Sequence, residues 1–164
     1  MILYIIRHAW AGHFGDPRWP SDFQRPLSSE GRERFFCVAN ILVKRGVAPE
    51  VIVTSPLIRC RETADILADC LSRRPPVVEL DALSPGSDLE ELLKWTAQQS
   101  NLCREIAWVG HAPDVNRLIS QLIGDDSAWI RLAKGAVAAI RFDESIGSGQ
   151  GELRWLATAK TLGC

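Results

Sequence analysis

Lysine is scarce in this chain of 164 residues: four, against fifteen arginines. The 19 basic residues are balanced by 20 acidic ones, so the basic excess of a sequence-independent nucleic-acid surface is missing and no nucleic-acid partner is expected. No apolar run approaches the ~20 residues of a membrane span, which argues against a membrane role. The first apolar run has no basic start and stops at Arg7, unlike a secretory signal. Cysteine is sparse, odd in number at five, and never arranged as CxxC. A chain able to build its own core needs no disulfide framework, so free thiols and a cytoplasmic, reducing location are expected. With three histidines, no HExxH and few acids beside them, neither a metal site nor a cofactor is expected.

What is present is an ordinary globular composition, 46% apolar and 24% charged, and a length that suits one compact domain rather than two independent ones. Residues 1–164 are therefore read as a single domain. Apolar runs alternate with helical patterns, the signature of an α/β sheet. Strands are expected at Ile2–Ile6, Val51–Val53, Val77–Leu80 and Ile106–Val109. Between the first two, a loop from Ala9 to Pro26 leads to a helix capped by Ser28 or Ser29, with Phe35, Val38, Ala39, Leu42 and Val43 on one face and Gly46 at its end. Ser55-Pro56 reads as a cap and first helical proline, and Ser87-x-x-Glu90 as a capping box. A further helix carries Val115, Leu118, Ile119, Leu122 and Ile123. Two alternating segments, Ala136–Phe142 and Glu152–Ala157, read as a hairpin. The expected fold is a three-layer α/β/α sandwich with a mainly parallel central sheet and a C-terminal antiparallel hairpin at its edge.

In such sheets the reactive residues lie beyond the carboxyl ends of the strands. Three strand ends carry candidates: Arg7-His8, then Ser55-Pro56 with Arg59 one turn on, then Gly110-His111-Ala112-Pro113. If the three strands are parallel neighbours, two histidines and two arginines meet on one rim, with Arg25 able to reach in from the first loop. No serine–histidine–acid set is present for acyl transfer, and the charge suits a dianionic phosphoryl group, which arginine forks grip in two places. Adjacent guanidinium groups disfavour an imidazolium and keep a ring lone pair available for attack, while the second ring nitrogen is expected to donate to a backbone carbonyl. The amino end of the helix after Ser55 adds dipoles of the right sign. With the ordinary histidine value near 6.5, activity is expected to decline in acid.

The segments RHA at 7–9, SPLIRCRETA at 55–64, GHAP at 110–113 and D-x-x-R-P-L-S-x-x-G from Asp22 to Gly31 resemble, in the same order, the histidine phosphatase superfamily, to which phosphoglycerate mutase belongs. The last segment and the short chain are similar to the SixA-type phosphohistidine phosphatases. The resemblance implies that His8 is the nucleophile of a phosphohistidine intermediate. It further implies that Arg7, Arg59 and His111 hold the phosphoryl oxygens, and that Arg25 and Ala112 contribute to substrate binding. Ala9 stands where the family has glycine, which is harmless if its φ is negative.

Larger members carry a glutamate acid in an insertion after the third strand, and no such segment exists here. Asp22 is the one loop acid to nominate as a proton donor. Without a strong acid, the nitrogen of a phosphorylated imidazole leaves more easily than an ester oxygen. The expected activity is thus metal-independent removal of phosphate from a phosphohistidine on a partner protein of a phosphorelay or phosphotransfer system. Trp10, Phe14, Trp19 and Phe23 are available as an apolar rim for that partner. Two alternatives remain: a phosphatase or mutase of small phosphate esters, and a non-catalytic domain that binds phosphorylated proteins. His13, Arg61 and Glu62 are read as structural or solvent-facing.

Overall fold

The computed structural model describes residues 1–164. Its centre is a six-stranded sheet in the order β3-β2-β4-β1-β5-β6, built from β1 (Ile2–Arg7), β2 (Val51–Thr54), β3 (Val77–Glu79), β4 (Glu105–Gly110), β5 (Val137–Arg141) and β6 (Glu152–Ala157). Strands β1 to β4 pair in parallel, while β5 runs antiparallel to both β1 and β6. β1, β2 and β4 are buried through their middles on both faces, as helix-covered parallel strands must be. The hairpin lies where expected, with β6 at the edge and its side chains alternating between exposed and half-buried.

Helices α1 (Ser29–Lys44), α2 (Ile58–Cys70) and the short α5 (Ala159–Leu162) cover one face. α3 (Leu89–Gln99) and α4 (Asp114–Ile123) cover the other. The three layers enclose two apolar cores, one on each side of the sheet. Phe35, Val38, Ala39 and Leu42 are buried along α1, whose amino end is capped by Ser28 through Gly31 N. Gly46, at φ 95°, follows the C-cap Arg45 in the left-handed region. Trp108 is fully buried in β4, and its indole N–H finds an acceptor in Thr96 Oγ1 at 3.1 Å. No helix is long and apolar enough to cross a membrane.

Three local expectations are corrected, and one element is added. α2 begins at Ile58 with Leu57 as its cap and no side-chain cap bond, so Ser55-Pro56 precedes the helix. α3 is capped by Asp88, whose carboxylate accepts from Glu91 N, rather than by a Ser87–Glu90 box. α5 is too short to show a period in the sequence; Thr158 and Thr161 cap it reciprocally. The third correction concerns sulfur. Cys37 of α1 and Cys164 form a disulfide across a separation of 127 residues, leaving Cys60, Cys70 and Cys103 as free thiols. α5 turns the chain end back onto α1, a closeness that no cysteine spacing reveals.

Candidate active site

The three neighbouring strands β2, β4 and β1 end side by side. Arg7 is in register with Gly110, and Thr54 with Val109. The ladder continues past the strand ends: His8 N donates to Gly110 O, and Ser55 N donates to Val109 O, each at 3.0 Å. This backbone pairing brings the two histidines together, with ring centroids 5.3 Å apart. Arg59, on the first turn of α2, reaches His111 Nδ1 at 3.2 Å through Nη2. His8, Arg7, Arg59 and His111, from distant parts of the chain, thus share one rim. A concavity of about 660 Å³ lies at the opposite end of the sheet beside Met1, Arg104 and Glu105, and no histidine lines it.

His8 is buried and its Nδ1 lies 2.7 Å from the Ala9 carbonyl. A carbonyl only accepts, so Nδ1 carries the proton and Nε2 the lone pair. Burial is the main force holding the ring neutral. The nearby His111, Arg59 and Arg7 add to it against the opposing pull of the Ala9 bond, and the value falls to about 3. Ala9 itself has no positive φ, which removes the need for glycine there. Its N–H donates to Thr63 Oγ1 at 3.1 Å, and that hydroxyl donates to the Arg59 carbonyl at 2.6 Å. One threonine therefore ties the His8 segment to the turn of α2 that carries Arg59.

The next residues are pinned as well. The Trp10 carbonyl accepts from Ser28 N at 3.0 Å. A Cβ on Gly31 would stand 2.0 Å from that oxygen, so only glycine lets α1 come so close. Glu62 accepts from Leu27 N at 2.7 Å and pairs with Arg32, a structural role that holds the far end of the same loop.

His111 is neutral in the opposite tautomer. Arg59 Nη2 is purely a donor, so Nδ1 offers a lone pair, and Nε2–H donates to Ser55 Oγ at 2.9 Å. Burial, followed by the charge of Arg59, lowers its value to about 4, with Asp22 opposing. Ser55, expected as a helix cap, thus serves His111 instead. Cys60 Sγ lies 3.4 Å from His111 Nε2, and burial pushes its thiol up to about 12, so it remains an inert thiol.

The guanidinium groups are only partly satisfied. Arg7 Nη1 donates to the Leu132 carbonyl at 2.9 Å, and Arg59 Nη1 donates to the Asp22 carbonyl at 2.8 Å. The Nε–H groups of both Arg7 and Arg59 are buried without an acceptor. Unsatisfied buried donors are rare, so two in one site call for a partner that the protein itself does not supply.

Asp22 differs from its expected role. Its carboxylate accepts from Arg25 Nε at 2.7 Å and pairs with Arg59 Nη2 at 3.0 Å. Burial opposes ionisation, but the Arg25 bond and the Arg59 charge outweigh it and hold the carboxyl below its ordinary value. A carboxylate clamped between two guanidinium groups has no proton to give. Arg25 also donates to the Gly12 carbonyl at 3.0 Å, so it reaches the site through the Asp22 network. Ala112, half-buried, joins His111 to Pro113 by a cis peptide. His13 is exposed and apart from the cluster.

A neutral imidazole fixed between cations on the carboxyl edge of a parallel sheet is an arrangement for handling phosphoryl groups. Residues 3–117 match the histidine phosphatase superfamily (branch 1), and the chain belongs to that superfamily. It is 33% identical over 144 residues to an uncharacterized protein of Picosynechococcus sp. (strain PCC 7002), covering 86% of this chain and 85% of the other. It is 26% identical over 156 residues to the phosphohistidine phosphatase SixA of Escherichia coli K12, covering 94% and 92%. Among solved structures, the protein histidine phosphatase SixA complexed with tungstate superposes with a TM-score of 0.85 at 26% identity, covering 99% of each chain.

The site's three main strand ends were legible in the sequence; Ser55 as the partner of His111, and Thr63 as the tie between two loops, were not. The only signal for either was its place within the segment from Ser55 to Ala64, since hydroxyl partners leave no periodicity.

Proposed function

We propose that this protein removes the phosphoryl group from phosphohistidine on a partner protein, through a phosphorylated His8. The observation that carries the reading is the His8 ring: its proton is fixed on Nδ1 by the Ala9 carbonyl, and its free Nε2 lies among arginines with unpaired N–H donors. Nε2 attacks phosphorus as the bond from phosphorus to the substrate ring breaks; that ring, protonated on its other nitrogen, departs with the electron pair as neutral imidazole, while Nδ1 of phospho-His8 keeps its proton on the Ala9 carbonyl. Water then attacks phospho-His8, releasing inorganic phosphate and restoring the ring. Arg7 and Arg59 meet the charge on the equatorial oxygens, so the scheme needs no metal ion. As the dianion arrives, it offsets the charge of Arg59, and His111 Nδ1 takes up a proton and becomes a donor to a phosphoryl oxygen. Asp22 holds Arg25 and Arg59 in place.

Two features favour a nitrogen–phosphorus bond over an ester. The loop carboxyl nearest the site is ionised, and an alkoxide leaves poorly without a proton donor, whereas a phosphorylated imidazole can carry the needed proton on its own second nitrogen and leave as a neutral base. The connection from β3 to α3 is a single 3-10 turn, Asp81–Leu83, followed by a few residues, too short for a lid that closes over a small ester. The SixA structure of similar fold is complexed with tungstate, a tetrahedral oxyanion, which supports an oxyanion ligand for this chain. A cytoplasmic location is part of this proposal, and reduction there would open the Cys37–Cys164 pair.

The test compares kcat/KM for a phosphohistidine-bearing carrier protein, phosphorylated chemically with phosphoramidate, with that for sugar phosphates and phosphoserine. A preference of about 100-fold or more for the phosphohistidine protein is expected; preference for the esters overturns the substrate class.

The pH dependence changes with the burial of His8. The folded value lies below the ordinary 6.5, so the neutral ring persists as pH falls and is lost only near pH 3. In the free protein, imidazole 15N shifts should report neutral rings at His8 and His111 at pH 5.5. A charged His8 ring there contradicts the assignment. Folding stability should decline as pH falls below about 6.5, because the unfolded chain binds protons that these two buried rings refuse until about 3 and 4.

A further inference from the structure

Two side chains on α4, one helical turn apart, grip the segment that leads into β5. Ser120 Oγ donates to the Ala128 carbonyl at 2.8 Å, and Asn116 Oδ1 accepts from Leu132 N at 3.0 Å. Leu132 is fully buried, and its carbonyl is the one that receives Arg7 Nη1. Between these anchors the chain displays Trp129 and Arg131, with Ile130 half-buried between them. Trp129 is 95% exposed, more than any other large apolar side chain here. It borders a groove of about 350 Å³ that begins at Pro113, two residues past His111, and runs along Asn116, Arg117 and Gln121 of α4.

This loop forms one of two rims. Ile130 and Leu132 pack into the core on the α3/α4 face of the sheet. The loop after β1 packs through Ala9, Trp10 and Leu27 into the core on the α1/α2 face. It exposes Phe14 (71%) and Phe23 (50%), while Trp10 and Trp19 turn inward, Trp19 against Gly12. The phosphate-binding cluster lies between the two rims, at the strand ends. A free amino acid fills only the cluster at the strand ends, whereas a folded protein can also cover an exposed rim. An indole on an anchored loop also gives up little conformational freedom when it is covered, which suits a binding anchor.

We propose that Trp129 and the groove beside it dock the protein that carries the phosphohistidine. The proposal rests on the reading above. Arg131, near enough to Arg7 for its charge to oppose the charge on Arg7, adds a cation to the same rim and suits an acidic side chain of the partner. Specificity for a displayed phosphohistidine then comes from this rim, while the chemistry comes from the cluster at the strand ends.

The experiment measures kcat/KM of wild type and Trp129→Ala on two substrates, the phosphohistidine carrier protein and free phosphohistidine. The variant should lose about 10- to 30-fold on the protein, mainly through KM, and stay within about twofold on the free amino acid. Equal loss on both substrates overturns the proposal, because the loop would then act through Leu132 and Arg7. No loss on either also overturns it. So does a change in solution mass on substitution, which would make the surface a contact between copies of this chain. If wild type prefers esters, the underlying substrate reading fails first; a wild type active on phosphohistidine with an indifferent Trp129 removes only the docking surface.

Discussion

His8→Ala should lose at least about 10⁴-fold in turnover, the scale seen when a covalent nucleophile is removed and binding groups remain. The substitution removes the only ring nitrogen whose lone pair is fixed by a backbone acceptor on its other side, Nδ1 to the Ala9 carbonyl at 2.7 Å. His111 is no substitute: its Nδ1 faces Arg59 and its Nε2 faces Ser55. The variant should keep its fold, because the backbone of residue 8 is held by Gly110 and the next residue by Thr63. The decisive readout is the intermediate. Wild type quenched in base after mixing with 32P-labelled phosphohistidine protein should carry label that survives alkali and is released by acid, and His8→Ala should carry none. Equal labelling of both proteins would move the nucleophile elsewhere. Tight binding of the phosphoprotein by both, with no turnover by either, would favour a binding domain, the reading that needs cations but no nucleophile.

The rim was legible because each of its main residues follows a strand whose ending is marked in the chain. Arg7-His8 interrupts an apolar run, and Gly110-His111 closes another. Once β1, β2 and β4 are parallel neighbours, backbone pairing alone brings residues 8, 55 and 111 together. The supporting contacts belong to another class. Thr63 meets Ala9 across 54 positions and Asn116 meets Leu132 across 16, and both distances depend on how helices settle on the sheet. Asp22 shows the same limit from the other side. As a loop acid near the site it reads as a proton donor, and only the positions of Arg25 and Arg59 show that its proton is gone. The segment between α4 and β5 has no period at all, so Trp129 reads as one more tryptophan until its exposure is known. Cys164 lies next to Cys37 only because α5 folds back, and the expectation of five free thiols failed there.

Arg59→Ala should reduce kcat/KM by about 10³- to 10⁵-fold, the range for an arginine that stabilises a transferring phosphoryl group. The effect has two parts with the same sign. The first is loss of a buried fork, 4% exposed, whose Nε–H has no protein acceptor. The second is the field left behind. Asp22 keeps its bond to Arg25 but loses the Arg59 partner, so a less compensated carboxylate now lies where a dianion must enter. Removing the Arg59 charge also raises the value of His111, since that charge now helps to lower it. Arg59→Lys restores the charge without the fork and should recover only about tenfold of the loss, because one ammonium cannot serve Asp22, His111 and a phosphoryl oxygen together. Adding Asp22→Asn to Arg59→Ala removes the stranded charge and should recover part of the substrate binding, seen in KM, while kcat stays low. A single Arg59→Ala variant within tenfold of wild type would show that Arg7 alone carries the phosphoryl charge, and that Arg59 serves only to hold His111 and Asp22.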